Sequence, residues 1–299
     1  MNKLTPDIIK GLVFGITAAI IWAMFPVITR LSIDQSLSPW DIVALRFLIV
    51  GPVLLPLFLR HKFSGISPLG AFILVCGAGA PYMMIVIQGL TYTPASHFGV
   101  IVPSCMLVFA TLGSWYFLKE KISAIRIAGV FAIIAGIITI GWEGLHFQGE
   151  NLLLGDFLFI VGGLLWASYT IASRTWKIKP MHAISIVSVI SAIIYLPGYF
   201  VFMKPGIFTA PLLEVLLQAF FQGVISVLIA LYLYTRAVEL LGASKGALFG
   251  ALVPSLALIL AYPVLNEIPT LLQLFGVVFV SVGMVLALGL AFKKKLASQ

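Results

Sequence analysis

Apolar residues run through this chain in blocks of roughly 18 or more, the length that marks a membrane-spanning helix. Ten such blocks fall at 11–30, 40–59, 68–91, 96–118, 124–142, 155–176, 181–203, 212–236, 242–265 and 270–292. A helix rises about 1.5 Å per residue, so each block is long enough to cross about 30 Å of hydrocarbon. The gaps between blocks carry turn chemistry, such as Ser36 to Pro39, Arg60 to Pro68, Thr91 to Ser96, Lys119 to Ser123 and Lys177 to His182. The pattern predicts an all-α membrane protein of ten transmembrane helices.

The first block returns in the sixth at a constant offset of 144 residues. Gly11 matches Gly155, Trp22 matches Trp166, Phe25 matches Tyr169, Thr29 matches Ser173 and Arg30 matches Arg174. An internal duplication explains this, with one five-helix repeat in residues 1–146 and a second in 147–299. Five helices is an odd number, so the second copy enters the bilayer from the opposite face. Inverted repeats of this kind place a binding site near the midplane between the halves and open it to either side in turn.

Charge fixes the expected orientation. Apart from Arg30, Arg46 and Lys204, every Lys and Arg falls in the termini and turns of one side. By the positive-inside rule that side is cytoplasmic, which predicts a multi-pass protein of a bacterial inner membrane with both termini inside. The composition agrees, being 61% hydrophobic and 9% charged, too few charges to coat two soluble domains. The net charge of +8 is therefore read as membrane orientation, and no nucleic-acid partner is expected. Cys76 and Cys105 sit inside apolar blocks and read as small buried hydrophobes. The opening MNKLTPDIIKG has no small-residue cleavage site, so the first span is expected to stay in the mature protein.

Two turns carry a resemblance. Leu118-Lys119-Glu120-Lys121-Ile122-Ser123 after the fourth block and Leu265-Asn266-Glu267-Ile268-Pro269 after the ninth are similar to the turn that ends the fourth helix of each half in the drug/metabolite transporter superfamily. A glycine follows nine residues after each glutamate, and the pairs Gly129 with Gly136 and Gly276 with Gly283 repeat that family's spacing. The helix-one tryptophan and Arg46 in the second block also match. Two departures stand out: Lys119 and Asn266 replace the family's glycine before each glutamate, and Pro103 lies one turn earlier, relative to its glutamate, than Pro254 does. The resemblance covers nearly the whole chain and implies a ten-helix secondary transporter of the EamA type, most often an exporter of amino acids or other small metabolites. The same framework also serves uptake or exchange of nucleotide-like solutes or organic cations.

The candidate substrate-binding residues are Trp22, Phe25, Thr29, Arg46, Tyr82, His97, Trp166, Tyr169, Ser173 and Gln222. Trp22, Phe25 and Thr29 recur at helical spacing, as do Trp166, Tyr169 and Ser173, so two aromatic faces are expected to flank one cavity. Arg46 is the basic residue set well inside an apolar block. Such a charge is costly, and three readings stand open: an ion pair with Asp41 or Asp34, snorkelling to the headgroups, or a grip on a substrate carboxylate. His97 begins a polar stripe continued by Ser104 and Thr111, and as a helix-end histidine it is expected to be solvated or to serve the site. Gln218, Gln222 and Ser226 recur every four residues, which suits either a polar solute or plain interhelical bonding. Pro26, Pro81, Pro103, Pro254 and Pro263 each free the carbonyl four residues earlier, or simply kink their helix. The glycine pairs fit close contact within each half or the surface of a homodimer.

Catalytic motifs are absent from the sequence. There is no HExxH, no Cys-rich metal cluster and no phosphate-binding glycine loop, so no metal, cofactor or direct ATP hydrolysis is expected. Glu120, Glu143, Asp156, Glu239 and Glu267 all fall near predicted helix ends, so no deep proton relay is visible. A lipid-modifying membrane enzyme would need His, Asp or Glu clustered at one depth, whereas the four histidines are scattered at 61, 97, 146 and 182. A non-transporting scaffold built from the same helices is the third class.

Overall fold

The computed structural model describes residues 6–146 and 151–289. Among these, the chain forms ten helical spans and no strand: α1 Pro6–Gln35, α2 Pro39–His61, α3 Pro68–Gly89, α4 Ala95–Leu118, α5 Ala124–His146, α6 Leu152–Thr175, α7 Pro180–Phe202, α8 Leu212–Leu241, α9 Ala243–Leu265 and α10 Leu271–Ala287. Nine are long and apolar enough to cross a bilayer, and the described part of α10 covers 17 residues. Lys3, Lys293 to Lys295 and the side chains of Glu143 and His146, all used in the sequence reading, lie outside the described residues.

The helix ends follow local chemistry. Ser38 and Thr270 each close a capping box with the third residue of the helix they open, Asp41 and Gln273, while Ser67 caps α3 ahead of Pro68. Lys119 and Asn266, the two residues that replace glycine in the shared turn, both adopt left-handed backbone at φ 55°. That conformation is why glycine suits the position, and the turn survives here without it.

Packing repeats along with the sequence. In one half-turn of the pattern α1 lies on α8 and α9, and in its mirror α6 lies on α3 and α4. The pairs α2 with α8 and α7 with α3 are related in the same way, and α2–α7, α4–α9 and α5–α10 join equivalent helices across the seam. Ten helices therefore form two inverted five-helix repeats that interleave. Gly11 shows the match in detail: a side chain there would strike Leu241 at the end of α8, just as one at Gly155 would strike Thr93 beyond the end of α3.

The four spaced glycines correct one expectation. Gly129 and Gly136 on α5 face Gly283 and Gly276 on α10, with a Cβ at Gly129 falling 2.6 Å from the Gly283 carbonyl and one at Gly136 falling 2.8 Å from that of Gly276. The stripe joins the two halves to each other, not helices within one half, because small residues let two backbones touch.

Two spans are interrupted where the sequence suggests smooth helices. α3 breaks at Gly79, between helical pieces Pro68–Ala78 and Ala80–Gly89. Ser191 on α7 accepts the freed N–H of Ala80 at 3.0 Å, closing the gap from outside. α8 widens into a π-helix over Phe220–Ile229. Of the prolines flagged above, Pro81 alone lies at a break, while α1, α4 and α9 continue through Pro26, Pro103, Pro254 and Pro263. Large apolar side chains such as Phe131, Phe202 and Phe208 cover the outer surface of the bundle, as a lipid-facing wall requires.

The turns α2–α3, α4–α5, α6–α7 and α8–α9 gather on one side with the first turn of α1 and the last of α10, hereafter the start side. Gly11 meets Leu240 and Leu241 there, and Arg126 donates to the Ala287 carbonyl at 2.9 Å. The α1–α2, α3–α4, α7–α8 and α9–α10 turns gather on the far side.

Candidate functional site

Arg46 lies two turns inside α2 and points toward α8. Its Nη1 donates to Ser226 Oγ at 3.1 Å, Gln222 Oε1 at 3.3 Å and the Gln222 carbonyl at 3.4 Å. The π-helical stretch of α8 supplies both residues, and such stretches recur at functional sites. Gln222 passes the network on, donating to Thr29 Oγ1 on α1 at 2.9 Å and to Gln218 Oε1 at 3.3 Å. Gln218 in turn donates to Ser32 Oγ and the Ile28 carbonyl. The row of polar residues on α8 thus bonds between helices, and its Gln222–Ser226 end also holds the arginine.

Among the described residues, no acidic side chain balances that charge. Asp34 pairs with Arg30 at 3.0 Å. Asp41 is 1% exposed and fully engaged: Ser38 donates to it from backbone and hydroxyl, Gly206 N–H donates at 2.9 Å, and the Tyr199 hydroxyl donates as well. The ion-pair reading therefore fails for both aspartates, which serve the α1–α2 and α7–α8 turns instead. Snorkelling is excluded too, since the guanidinium faces α8 and not the headgroups. Among the described residues, Nε and Nη2 make no protein hydrogen bond, and Arg46 keeps partial exposure although its neighbours are interior side chains.

Aromatic rings pack near Arg46. The Phe25 ring centroid is 5.9 Å from the Arg46 guanidinium carbon, and Phe25 packs on Phe98 of α4 at 5.5 Å. Tyr82 lies just past the break in α3, on the Ala80–Gly89 piece that packs against α2. It packs on Trp166 at 5.1 Å with rings at 56°, and Trp166 meets Tyr169 at 5.4 Å. Gly77 seats this group: a Cβ there would come within 2.8 Å of Tyr169, so α3 and α6 touch backbone to backbone. Trp22 departs from the shared face expected with Phe25. It turns toward α8 and α9 and packs on Tyr234 at 5.2 Å and 53°. Each tryptophan therefore packs on a tyrosine of the third span of a half, Trp22 on Tyr234 and Trp166 on Tyr82, although the tyrosines do not match at the 144-residue offset. Each tyrosine follows shortly after the interruption in its helix, Gly79 or the π-stretch, and paired interrupted spans at corresponding places are where inverted-repeat carriers build their sites.

The remaining candidates lie elsewhere. His97 is not a solvated helix end. It is 2% exposed, with Nδ1 2.9 Å from Asp156 Oδ1 and Nε2 3.3 Å from Gln273 Nε2, so it ties the first turns of α4, α6 and α10 together on the far side. The Gln273 side-chain oxygen accepts from Thr270 N–H in the capping box, which turns its NH2 toward the imidazole. His97 thus accepts at Nε2 and donates from Nδ1 to Asp156, a tautomer assigned from the network. Ser173 lies near the start-side end of α6, where its carbonyl accepts from Ile178 N–H. Beside it, Arg174 bonds Glu120 and, at 2.8 Å, Ser114, whereas its counterpart Arg30 bonds the Leu90 and Thr93 carbonyls. Tyr234, Ser226 as an arginine ligand, Ser191 and the His97–Asp156–Gln273 group were not assigned these roles by spacing.

Comparison with known proteins bears on the whole chain. The pattern of the EamA-like transporter family matches residues 9–142 and again 153–289. An uncharacterized transporter of Archaeoglobus fulgidus is 25% identical over 276 residues, covering 89% of this chain and 93% of its own. One of Clostridium kluyveri is 24% identical over 292 residues, covering 93% and 92%. A solved crystal structure superposes with a TM-score of 0.61 at 19% identity, covering 93% of this chain and 96% of that one, and so shares the fold.

Proposed function

The chain belongs to the EamA-like transporter family, and from that premise we propose that it exports a small carboxylate-bearing metabolite, an amino acid or a relative of one, across the bacterial inner membrane. The start side is then cytoplasmic, since it carries the clustered Lys and Arg of the turns. The observation that supports this reading is Arg46: a guanidinium at depth, held by three neutral acceptors on one amino group, unpaired with any described carboxylate and set beside the Phe25 ring, where we place the solute cleft. A cation in that setting faces a water-filled path or a ligand. The cleft draws on α1, α2 and α3 from one half and α6 and α8 from the other, so a relative movement of the halves would open it to each side in turn.

The test is flux in liposomes containing the purified full chain and loaded with labelled amino acids and related carboxylates. Wild-type protein is expected to release at least one of them, and Arg46→Gln to lose most of that flux while still eluting as a folded protein. Release of none of them, or undiminished release by Arg46→Gln, overturns the proposal.

A further inference from the structure

The cleft says more about the charge of its occupant. Resting on the carrier reading above, and narrowing its solute from amino acids to their relatives without the ammonium, we propose that the site takes an organic monoanion with a flat apolar body and selects against the matching zwitterion and amine.

The guanidinium supplies the first half of the argument. With Nη1 committed to α8, Nε and Nη2 present the planar fork that fits both oxygens of a carboxylate. A ligand carboxylate both fills the fork and cancels a charge that the protein leaves unbalanced.

The second half is what the cleft lacks. A ligand ammonium at this depth needs its own counter-charge, and Asp34 and Asp41, the acids nearest Arg46 in the chain, are engaged on the far side. Asp156 and Glu267 are held there too, Glu267 by the N–H groups of Ala95 and Ser96 at 2.8 and 3.1 Å. Glu120 is held at the opposite end by Arg174. The other described acidic residues, Asp7, Glu214 and Glu239, sit in terminal turns of α1 and α8. An ammonium entering with the carboxylate would find only ring faces, and it would stand in the field of Arg46. Ring faces attract cations weakly compared with a carboxylate partner. They suit a flat apolar body far better: Phe25 and Tyr82 flank the arginine, and Trp166 and Tyr169 extend the wall.

Three compounds with one body separate the charges: 3-phenylpropanoate, phenylalanine and phenethylamine. Their binding to full-length protein in detergent is read by quenching of tryptophan fluorescence and, independently, by calorimetry. The acid is expected to bind about tenfold or more tightly than phenylalanine, with the amine weaker still, each tenfold step being about 1.4 kcal/mol. Arg46→Gln should abolish the preference. Arg46→Lys, which keeps the charge without the fork, should retain the order with a reduced gap, so a misfolded glutamine variant leaves the question answerable. Equal or tighter binding of phenylalanine or the amine overturns this inference alone and leaves the carrier reading standing. Binding of all three that is insensitive to position 46 removes Arg46 from the site, and with it both readings.

Discussion

At the level of single residues, the decisive fact is which partner a polar side chain finds. Spacing along the chain showed that Arg46, His97 and Gln222 are unusual, but their partners lie up to 193 residues away and no periodicity encodes them. Arg46 was left between an aspartate, the headgroups and a ligand, and only the commitment of Asp41 to Tyr199 and Gly206 resolves it. His97 looked like a helix-end residue in sequence and is buried because three helix starts meet around it. Removing the ring in His97→Ala would leave Asp156 without its donor, and Asp156 Oδ2 already has none. Leaving a buried carboxylate without its donor costs about 1–3 kcal/mol, so the thermal midpoint in detergent should drop by several degrees. The turn residues predict the opposite sign. Lys119 holds φ 55° at a cost of about 1 kcal/mol that glycine avoids, so Lys119→Gly should raise the midpoint modestly with flux unchanged. A lower midpoint would mean that the contact of the Lys119 ammonium with the Tyr116 ring, 5.2 Å away, outweighs the backbone term.

At the level of helices, the ten spans were readable because bilayer thickness fixes a length and because apolar composition has no other use at 61% of the chain. The interruptions were not. A break at Gly79 leaves the apolar run intact, and its signal is the local cluster Gly77-Ala78-Gly79-Ala80-Pro81, where two glycines and a proline lack the side chains or the N–H that keep a helix regular. The π-stretch of α8 has no compositional mark at all, since i→i+5 bonding asks nothing special of Phe220–Ile229. The glycine stripes were visible, yet their address was not, because equal spacing in α5 and α10 fits many partners. Their mutual contact makes a firm prediction. Valine at position 136 would set a branched side chain 2.8 Å from the Gly276 carbonyl and 2.7 Å from Val280, where backbone must yield. Gly136→Val should therefore destabilise by about 3 kcal/mol or more, read as a lower midpoint and lower yield, whereas Gly141→Val, which meets nothing within 4 Å, should be neutral.

Across the whole molecule, the duplication was legible because Gly, Trp and Arg recur at one offset, and an odd number of helices per copy forces the inversion. What sequence leaves open is which ends of the halves are joined, and that is where function enters. On the far side the halves are tied by Glu267 capping α4, by His97 with Asp156 and Gln273, by Asp41 with Tyr199 and Gly206, and by Ser36 with Glu214 at 2.6 Å. On the start side the ties include Arg174 to Glu120 and Ser114, His182 to the Lys62 carbonyl at 2.9 Å, and Arg126 to the end of α10. If the halves rock about the α5–α10 seam, the far-side ties must break once in each cycle, so a covalent bridge there should stop transport without touching the cleft. Cysteines placed at Ala95 and Glu267, in a background where Cys76 and Cys105 are replaced by alanine, and joined by a short reducible bifunctional maleimide, supply that bridge. Flux is expected to fall to background on cross-linking and to recover on reduction, while quenching of tryptophan fluorescence by a bound carboxylate persists throughout. Undiminished flux with the bridge intact would show that the far side need not open between α4 and the α9–α10 turn, and the path for the solute would then have to run between other helices.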